Sequence, residues 1–309
     1  MTKRRLGRSD MHIEPLIFGG NVLGWTLAEA DAFKVLDAFL DGGFTAIDTA
    51  DVYGKGVSET ILGNWMKARG NRDKVLVFTK VGSDMGQGHR DLTSKWIEEA
   101  VENSLQRLQT DRIDLYQSHW PDPNTPQEET LAAFDRLVEA GKVRFIGSSN
   151  QDEKLLGEAL TISRQEGIAR YETVQNEFNL ADRSGFEGPV QDLCVAEEVS
   201  GIGYFALARG FLSGKYRSAA DASISPRGQN VVQKYINERG LKILAALDAV
   251  AARTNAKPAE VALAWINAQP GVGAPIASAT SVEQVQSLMR GAQLVLSADD
   301  VKELTVAGD

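Results

Sequence analysis

The sequence predicts one (β/α)8 TIM barrel, and three observations carry that prediction. Eight short apolar runs recur along the chain, each followed by a polar turn and by residues at helical spacing. No Pro/Ser/Gly-rich linker or block of charge interrupts them, so residues 1–309 read as a single barrel domain. The length of 309 residues fits, because alternating barrels commonly exceed about 250 residues as one unit.

Ahead of the repeat, KRRLGRSDMHI is expected to form a small β-hairpin closing the barrel bottom. The first strand is expected at Leu16 to Gly19, followed by a helix whose stripe is Phe33, Leu36 and Leu40. Strands at Phe44 to Thr49 and Val75 to Lys80 come next, and Thr93 then caps a helix with Ile97, Val101, Leu105 and Leu108 on one face. After the strand Ile113 to Ser118, Pro126 opens a helix carrying Leu131, Phe134 and Val138, which Gly141 ends. The remaining strands are expected at Arg144 to Ser148, Thr173 to Asn176, Gly203 to Ala206 and Val272 to Ala277. Residues 209–240 are too long for a simple connection, and long loops in compact domains are commonly functional or disordered. Arg209, Lys215, Arg217 and Arg227 there suit a phosphate-bearing ligand, with a solvated loop as the alternative.

Composition narrows the function class. With 43% hydrophobic and 24% charged residues, the chain can bury a large core. A net charge of -9 argues against a nucleic-acid partner, since that binding draws on Lys and Arg against phosphates. There is no run of ~18 apolar residues, and no apolar stretch of signal-peptide length follows the first charges. A cytoplasmic protein without membrane association is expected, monomeric in the absence of heptads. Cys194, the only cysteine, excludes an internal disulfide and a thiolate zinc cluster, and reads as a buried side chain. His12, His89 and His119 are scattered, so no metal is expected.

Barrel active sites are built at the carboxyl ends of strands, and four polar residues fall there on successive strands: Asp48, Tyr53, Lys80 and His119. A phenol is a poor acid at neutral pH unless a nearby positive charge stabilises its phenolate. Lys80 is placed to supply that charge, Asp48 to hold the ammonium, and His119 to donate a hydrogen bond to a substrate oxygen. A P-loop, a serine elbow and the dinucleotide fingerprint G-x-G-x-x-G are all missing. At the next strand ends, Ser149, Asn150 and Gln175 suit a carboxamide, and Tyr204 offers a flat ring. A nicotinamide has both features, and it would bring the hydride that a protonated carbonyl accepts.

These residues resemble the aldo-keto reductase superfamily from about Lys3 to the last helix. The resemblance rests on D-T-A-D-x-Y-G at Asp48 to Gly54, T-K at Thr79 to Lys80, and D-x-x-x-x-H at Asp114 to His119. It continues with G-x-S-N at Gly147 to Asn150 and Q-N-x-x-N at Gln175 to Asn179. It implies a barrel that binds extended NAD(P)(H) and reduces aldehydes or ketones, with Tyr53 as general acid, tuned by Lys80 and Asp48, and His119 orienting the carbonyl. It assigns Ser149, Asn150 and Gln175 to the carboxamide, Tyr204 to the nicotinamide face, and Phe205, Ala206, Leu207, Arg209, Gly210 and Lys215 to the cofactor's covering stretch.

After the last strand the family pattern P-G-A-[KR]-x-x-x-Q-x-x-x-N becomes Ala277, Ser278, Ala279, Thr280, then Gln284 and Leu288. Thr280 cannot supply the charge-assisted hydrogen bond of the family's cation to a 2′-phosphate. NADP(H) remains the first expectation and NAD(H) the second, with Arg290 or a loop arginine as substitute cation. Trp25 and Trp120 are the expected aromatic walls for a small carbonyl or alcohol substrate. Three rival readings stand beside this one. The chain could be a dinucleotide-binding auxiliary or sensor subunit with slow turnover, or the same enzyme working mainly as an alcohol oxidant. It could also be a barrel glycosidase using Glu177 and Asp51.

Overall fold

The computed structural model describes residues 2–225 and 227–309; Met1 and, within the long segment 209–240, Pro226 lie outside the described residues. Two short antiparallel strands, β1 (Arg4–Arg5) and β2 (His12–Ile13), form the expected N-terminal hairpin. Eight parallel strands then close into a barrel: β3 (Ile17–Gly19), β4 (Ala46–Asp48), β5 (Leu76–Val81), β6 (Ile113–Ser118), β7 (Val143–Ser149), β8 (Tyr171–Glu177), β9 (Ser200–Tyr204) and β10 (Val272–Ala277). They neighbour one another in chain order, and β10 closes the ring between β9 and β3.

The surrounding helices are α1 (Glu29–Asp41), α2 (Val57–Arg69), α3 (Ser94–Leu108), α4 (Gln127–Glu139), α5 (Glu153–Glu166), α6 (Pro189–Glu197), α7 (Gly228–Tyr235), α8 (Glu238–Thr254), α9 (Pro258–Asn267), α10 (Val282–Gln293) and α11 (Ala298–Ala307). The caps follow the sequence signals where these were read. Thr93 accepts a hydrogen bond from Trp96 N at the start of α3, Pro126 stands just before α4, and Gly141 beyond its end has φ +71°.

Two apolar layers hold the barrel. The larger lies between the strands and the helices; the smaller fills the barrel and contains Ile17, Ala46, Phe78, Leu115, Ile202 and Ala274. The hairpin supplies Leu6, Met11 and Ile13 to this inner layer, so it plugs one end. That end is where strands begin, because Gly7 N donates to Ser200 Oγ at 2.9 Å and Arg8 N to Glu172 Oε2 at 2.6 Å. Gly7 is required there: its φ is +57°, and a Cβ would meet the Glu172 carboxylate at 2.2 Å.

Side chains two residues further along the inner face emerge at the opposite end, where strands finish. Ala46 is followed by Asp48, Phe78 by Lys80 and Leu115 by Gln117, and alternation carries all three from the apolar filling into the site.

Two expectations are corrected. The seventh barrel strand runs Ser200–Tyr204, upstream of Gly203 to Ala206, because two glycines mask it. Gly201 is nonetheless needed, since a Cβ would fall 2.4 Å from the Phe186 ring. In α1 the fully buried face is Ala32, Val35, Leu36 and Phe39; Phe33 and Leu40 sit at its edges, and Arg69 stacks on the Phe33 ring at 5.4 Å. Residues 209–240 are built into short 3-10 turns at Ala208–Ser213 and Ala219–Ser223, followed by α7.

Among the described residues no helix is long and apolar enough to cross a membrane, and no group of three His, Cys, Asp or Glu could hold a metal ion. Cys194 is buried, which pushes its thiol up to about 12.

Candidate active site

A cleft of about 750 Å³ opens at the carboxyl end of the barrel. All eighteen expected site residues other than Lys80 line it: Asp48, Tyr53, His119, Ser149, Asn150, Gln175, Tyr204, Phe205, Ala206, Leu207, Arg209, Gly210, Lys215, Ser278, Thr280, Gln284, Trp25 and Trp120. Lys80 lies fully buried behind them.

The floor of the cleft is a clamped ion pair. Lys80 Nζ donates to Asp48 Oδ2 at 2.5 Å and to Thr49 O at 2.7 Å. Asp48 Oδ1 accepts from Gln175 Nε2 at 2.9 Å and from Gln117 Nε2 at 3.3 Å, so the carboxylate is paired on both oxygens. A buried pair is tolerable only when its remaining hydrogen-bonding capacity is met in this way. Gln117 was not anticipated; its position on the inner face of β6, midway between Leu115 and His119, was the available signal.

Above the pair sit a phenol and an imidazole. Lys80 Nζ lies 5.1 Å from the Tyr53 ring centre, and the His119 ring stands nearly perpendicular to Tyr53 at 5.8 Å. Burial raises the phenol above its ordinary value, and Lys80 pulls against that rise without cancelling it. Here the lysine limits a desolvation cost. For Lys80, burial disfavours the charge, but Asp48 and Tyr53 outweigh it and hold the ammonium above its usual range. His119 is held well below its usual value by burial, then by Lys80 and Arg90, so its imidazole is neutral.

Beside this centre, Ser149 Oγ donates to Gln175 O at 2.7 Å, and Asn150, with φ +57°, donates through Nδ2 to His119 O at 2.9 Å. Asn150 Oδ1 accepts from Tyr204 OH at 2.8 Å. The Asn150 amide thus ties the Tyr204 ring to the end of β6.

Along the other arm, Arg209 stacks on Phe205 at 4.5 Å and Arg227 on Trp25 at 4.7 Å. Arg209, Lys215 and Arg227 line the cleft and have no ion pair among the described residues, an arrangement that attracts an anion. Arg217 points elsewhere, paired with Asp248 at 2.7 Å. Arg290 is bound to Glu260 at 2.8 Å and does not line the cleft, which removes it as a substitute cation for Thr280. Gln284 Oε1 accepts from Thr280 N at 2.8 Å, and Ser278 Oγ donates to Asn21 Oδ1 at 2.7 Å.

Asp51 belongs to the wall behind the cleft. It is 1% exposed and does not line the cavity, so the glycosidase reading loses the second carboxylate it needs. Neither of its carboxylate oxygens has a partner among the described residues, and burial, with Glu59 nearby, pushes its pKa up to about 7. An acid raised on folding keeps its proton in the native state between the ordinary 3.8 and about 7, so its contribution is best below that window and is lost as pH rises through it. Asp51→Asn is expected to remove this loss and stabilise the protein above the window by about 4 kcal/mol. Urea unfolding of both proteins on either side of the window checks this; equal pH slopes would contradict it.

Comparison with known proteins accords with this layout. A model described as the Aldo/keto reductase family matches residues 15–308. Protein tas of Escherichia coli (strain K12) is 32% identical, covering 98% of this chain and 96% of the relative. Aldo-keto reductase YhdN of Bacillus subtilis (strain 168) is 35% identical over 93% of this chain and 86% of its own length. Uncharacterized oxidoreductase YrpG of the same organism is 32% identical, with 97% and 93% covered.

Proposed function

This chain belongs to the aldo/keto reductase family, and from that membership we propose that it interconverts a small carbonyl compound and its alcohol with NAD(P)(H), Tyr53 moving the proton at the substrate oxygen. The protein is an oxidoreductase, of a family that uses nicotinamide cofactors and acts on small carbonyl substrates. One observation carries the finer reading: a fully buried Asp48–Lys80 pair lies beneath a phenol that shares the cleft with a neutral imidazole.

The cleft suits the dinucleotide. Gln175 Oε1 has no protein partner among the described residues and can accept from a carboxamide, while Tyr204 is braced as a flat wall. Arg209, Lys215 and Arg227 are available to phosphates, and Arg209 Nε is buried without a partner. When bound, the cofactor supplies or takes up the hydride.

Tyr53 gives its proton to the substrate oxygen in reduction and takes it back in oxidation. Lys80 limits the cost of the phenolate this creates, and Asp48 keeps the ammonium fixed through the cycle. His119, uncharged, stabilises the oxygen as a hydrogen-bond donor without competing as an acid. Trp25 and Trp120 wall the substrate end. Aldehydes, ketones and secondary alcohols assayed with NADH, NADPH, NAD+ and NADP+ test the proposal; no turnover with any pairing would end it.

NADP(H) is the first candidate, bound through Arg209, Lys215 or Arg227 rather than through a cation at position 280. Thr280 is exposed at the cleft edge, so Thr280→Lys has room to reach a 2′-phosphate. The expected result is a shift of about tenfold towards NADPH, the size of one charge-assisted hydrogen bond. Fluorescence titration of both reduced cofactors reads the ratio directly.

A further inference from the structure

Among the described residues, Ser83 is the one side chain that shares a hydrogen bond with the His119 ring. Strand β5 ends at Val81, and Gly82, with φ +103°, turns the chain so that Ser83 comes alongside the end of β6. The two strand ends are joined by His119 N donating to Val81 O at 2.8 Å. Leu92 packs against Gly82 so closely that a Cβ would lie 2.5 Å from its Cδ2, which fixes the turn. Gln87 Nε2 braces it further by donating to Ser83 O at 3.1 Å. Ser83 Oγ and His119 Nδ1 are then 3.0 Å apart, both residues being buried.

A neutral imidazole carries one N–H, and the partner of one nitrogen decides which nitrogen bears it. If Nδ1 held the hydrogen, Ser83 Oγ would accept it, and the serine's own O–H would face no acceptor, since Oγ has no other partner among the described residues. A buried donor left unpaired costs about 1–3 kcal/mol. If Ser83 donates to Nδ1, that cost disappears and the hydrogen sits on Nε2, which has no protein partner among the described residues. His119 lines the cleft, so a substrate oxygen or water there can accept from it.

We propose that Ser83 is a positioning residue that locks His119 in the Nε2–H tautomer, aiming its one hydrogen at the substrate oxygen. The inference rests on the carbonyl–alcohol reading above, but the tautomer can be observed without any substrate. The chain has 3 histidines, and His12 and His89 are exposed, so long-range ¹H–¹⁵N correlation spectra of the whole protein resolve them, with His119→Asn identifying the third.

In the unaltered protein the His119 signals are expected to show Nε2 protonated and Nδ1 bare. The opposite pattern overturns the proposal, whatever the activity. In Ser83→Ala the pattern is expected to become a mixture, with kcat falling about 10- to 100-fold, part of what a positioned hydrogen-bonding group contributes. Cofactor Kd should stay within about twofold, because no cofactor contact is assigned to the His119 ring, and any rise in KM measures the part of the hydrogen bond already made to bound substrate. Ser83→Thr, which keeps the hydroxyl, should restore the pattern and most of kcat. A Ser83→Ala protein with the original tautomer and original kcat would sink the role given to Ser83, while loss of activity in Tyr53→Phe separately upholds the reading it rests on.

Discussion

Tyr53→Phe is expected to lower kcat by about 10³-fold or more while leaving cofactor Kd within about twofold. The size follows from removing a positioned proton donor, an effect of about 10²–10⁴ in general acid catalysis, from a site where no second acid is available. His119 cannot take over, since burial and the charges of Lys80 and Arg90 keep it unprotonated. Asp51 is raised to about 7 and could carry a proton, but it lies outside the cleft. The substitution deletes one oxygen and leaves the half-buried ring in place, so the wall that meets the cofactor keeps its shape. Steady-state turnover on a responsive aldehyde, beside fluorescence titration of the reduced cofactor, separates the two quantities. Turnover unchanged by the substitution would remove Tyr53 from the chemistry, and a parallel collapse of cofactor binding would make its role one of architecture.

The barrel was legible because an apolar run, a polar turn and a helical stripe recur along the chain, and the carboxyl ends of those runs placed the site. On β4 and β5 the inner residue after the apolar filling is Asp48 and Lys80, both read from the sequence, whereas the matching residue of β6, Gln117, was missed. Where local composition and tertiary packing disagreed, the reading slipped. The Ser200–Tyr204 strand is glycine-rich because the Phe186 ring presses on Gly201, a demand from another element that no window of the strand itself contains. Partnerships were less legible than positions. That Arg290 serves Glu260, that Arg217 serves Asp248, and that the Asn150 amide is taken up by His119 and Tyr204 depend on long-range geometry. The net effect on Tyr53 was hidden for the same reason: its sign depends on how much water the fold removes, and sequence spacing shows only that Lys80 is near.

Lys80→Met is expected to be nearly as damaging as loss of the phenol, and it damages two things at once. Without the ammonium nothing opposes the burial that raises Tyr53, so the phenol climbs further and proton transfer slows. The same change leaves the Asp48 carboxyl buried without its counter-ion, with only the Gln117 and Gln175 amides to meet it, and breaking one side of a buried pair costs about 3–5 kcal/mol. Low activity in this variant alone would therefore not distinguish proton tuning from a weakened fold. Adding Asp48→Asn separates them, because a neutral amide no longer needs the lysine, although one of its hydrogen bonds must be remade. The double variant is expected to recover most of the lost stability in urea unfolding and almost none of the turnover. If stability and turnover came back together, Lys80 would be only the counter-ion of Asp48, and the proton chemistry assigned to this cleft would have to work without it.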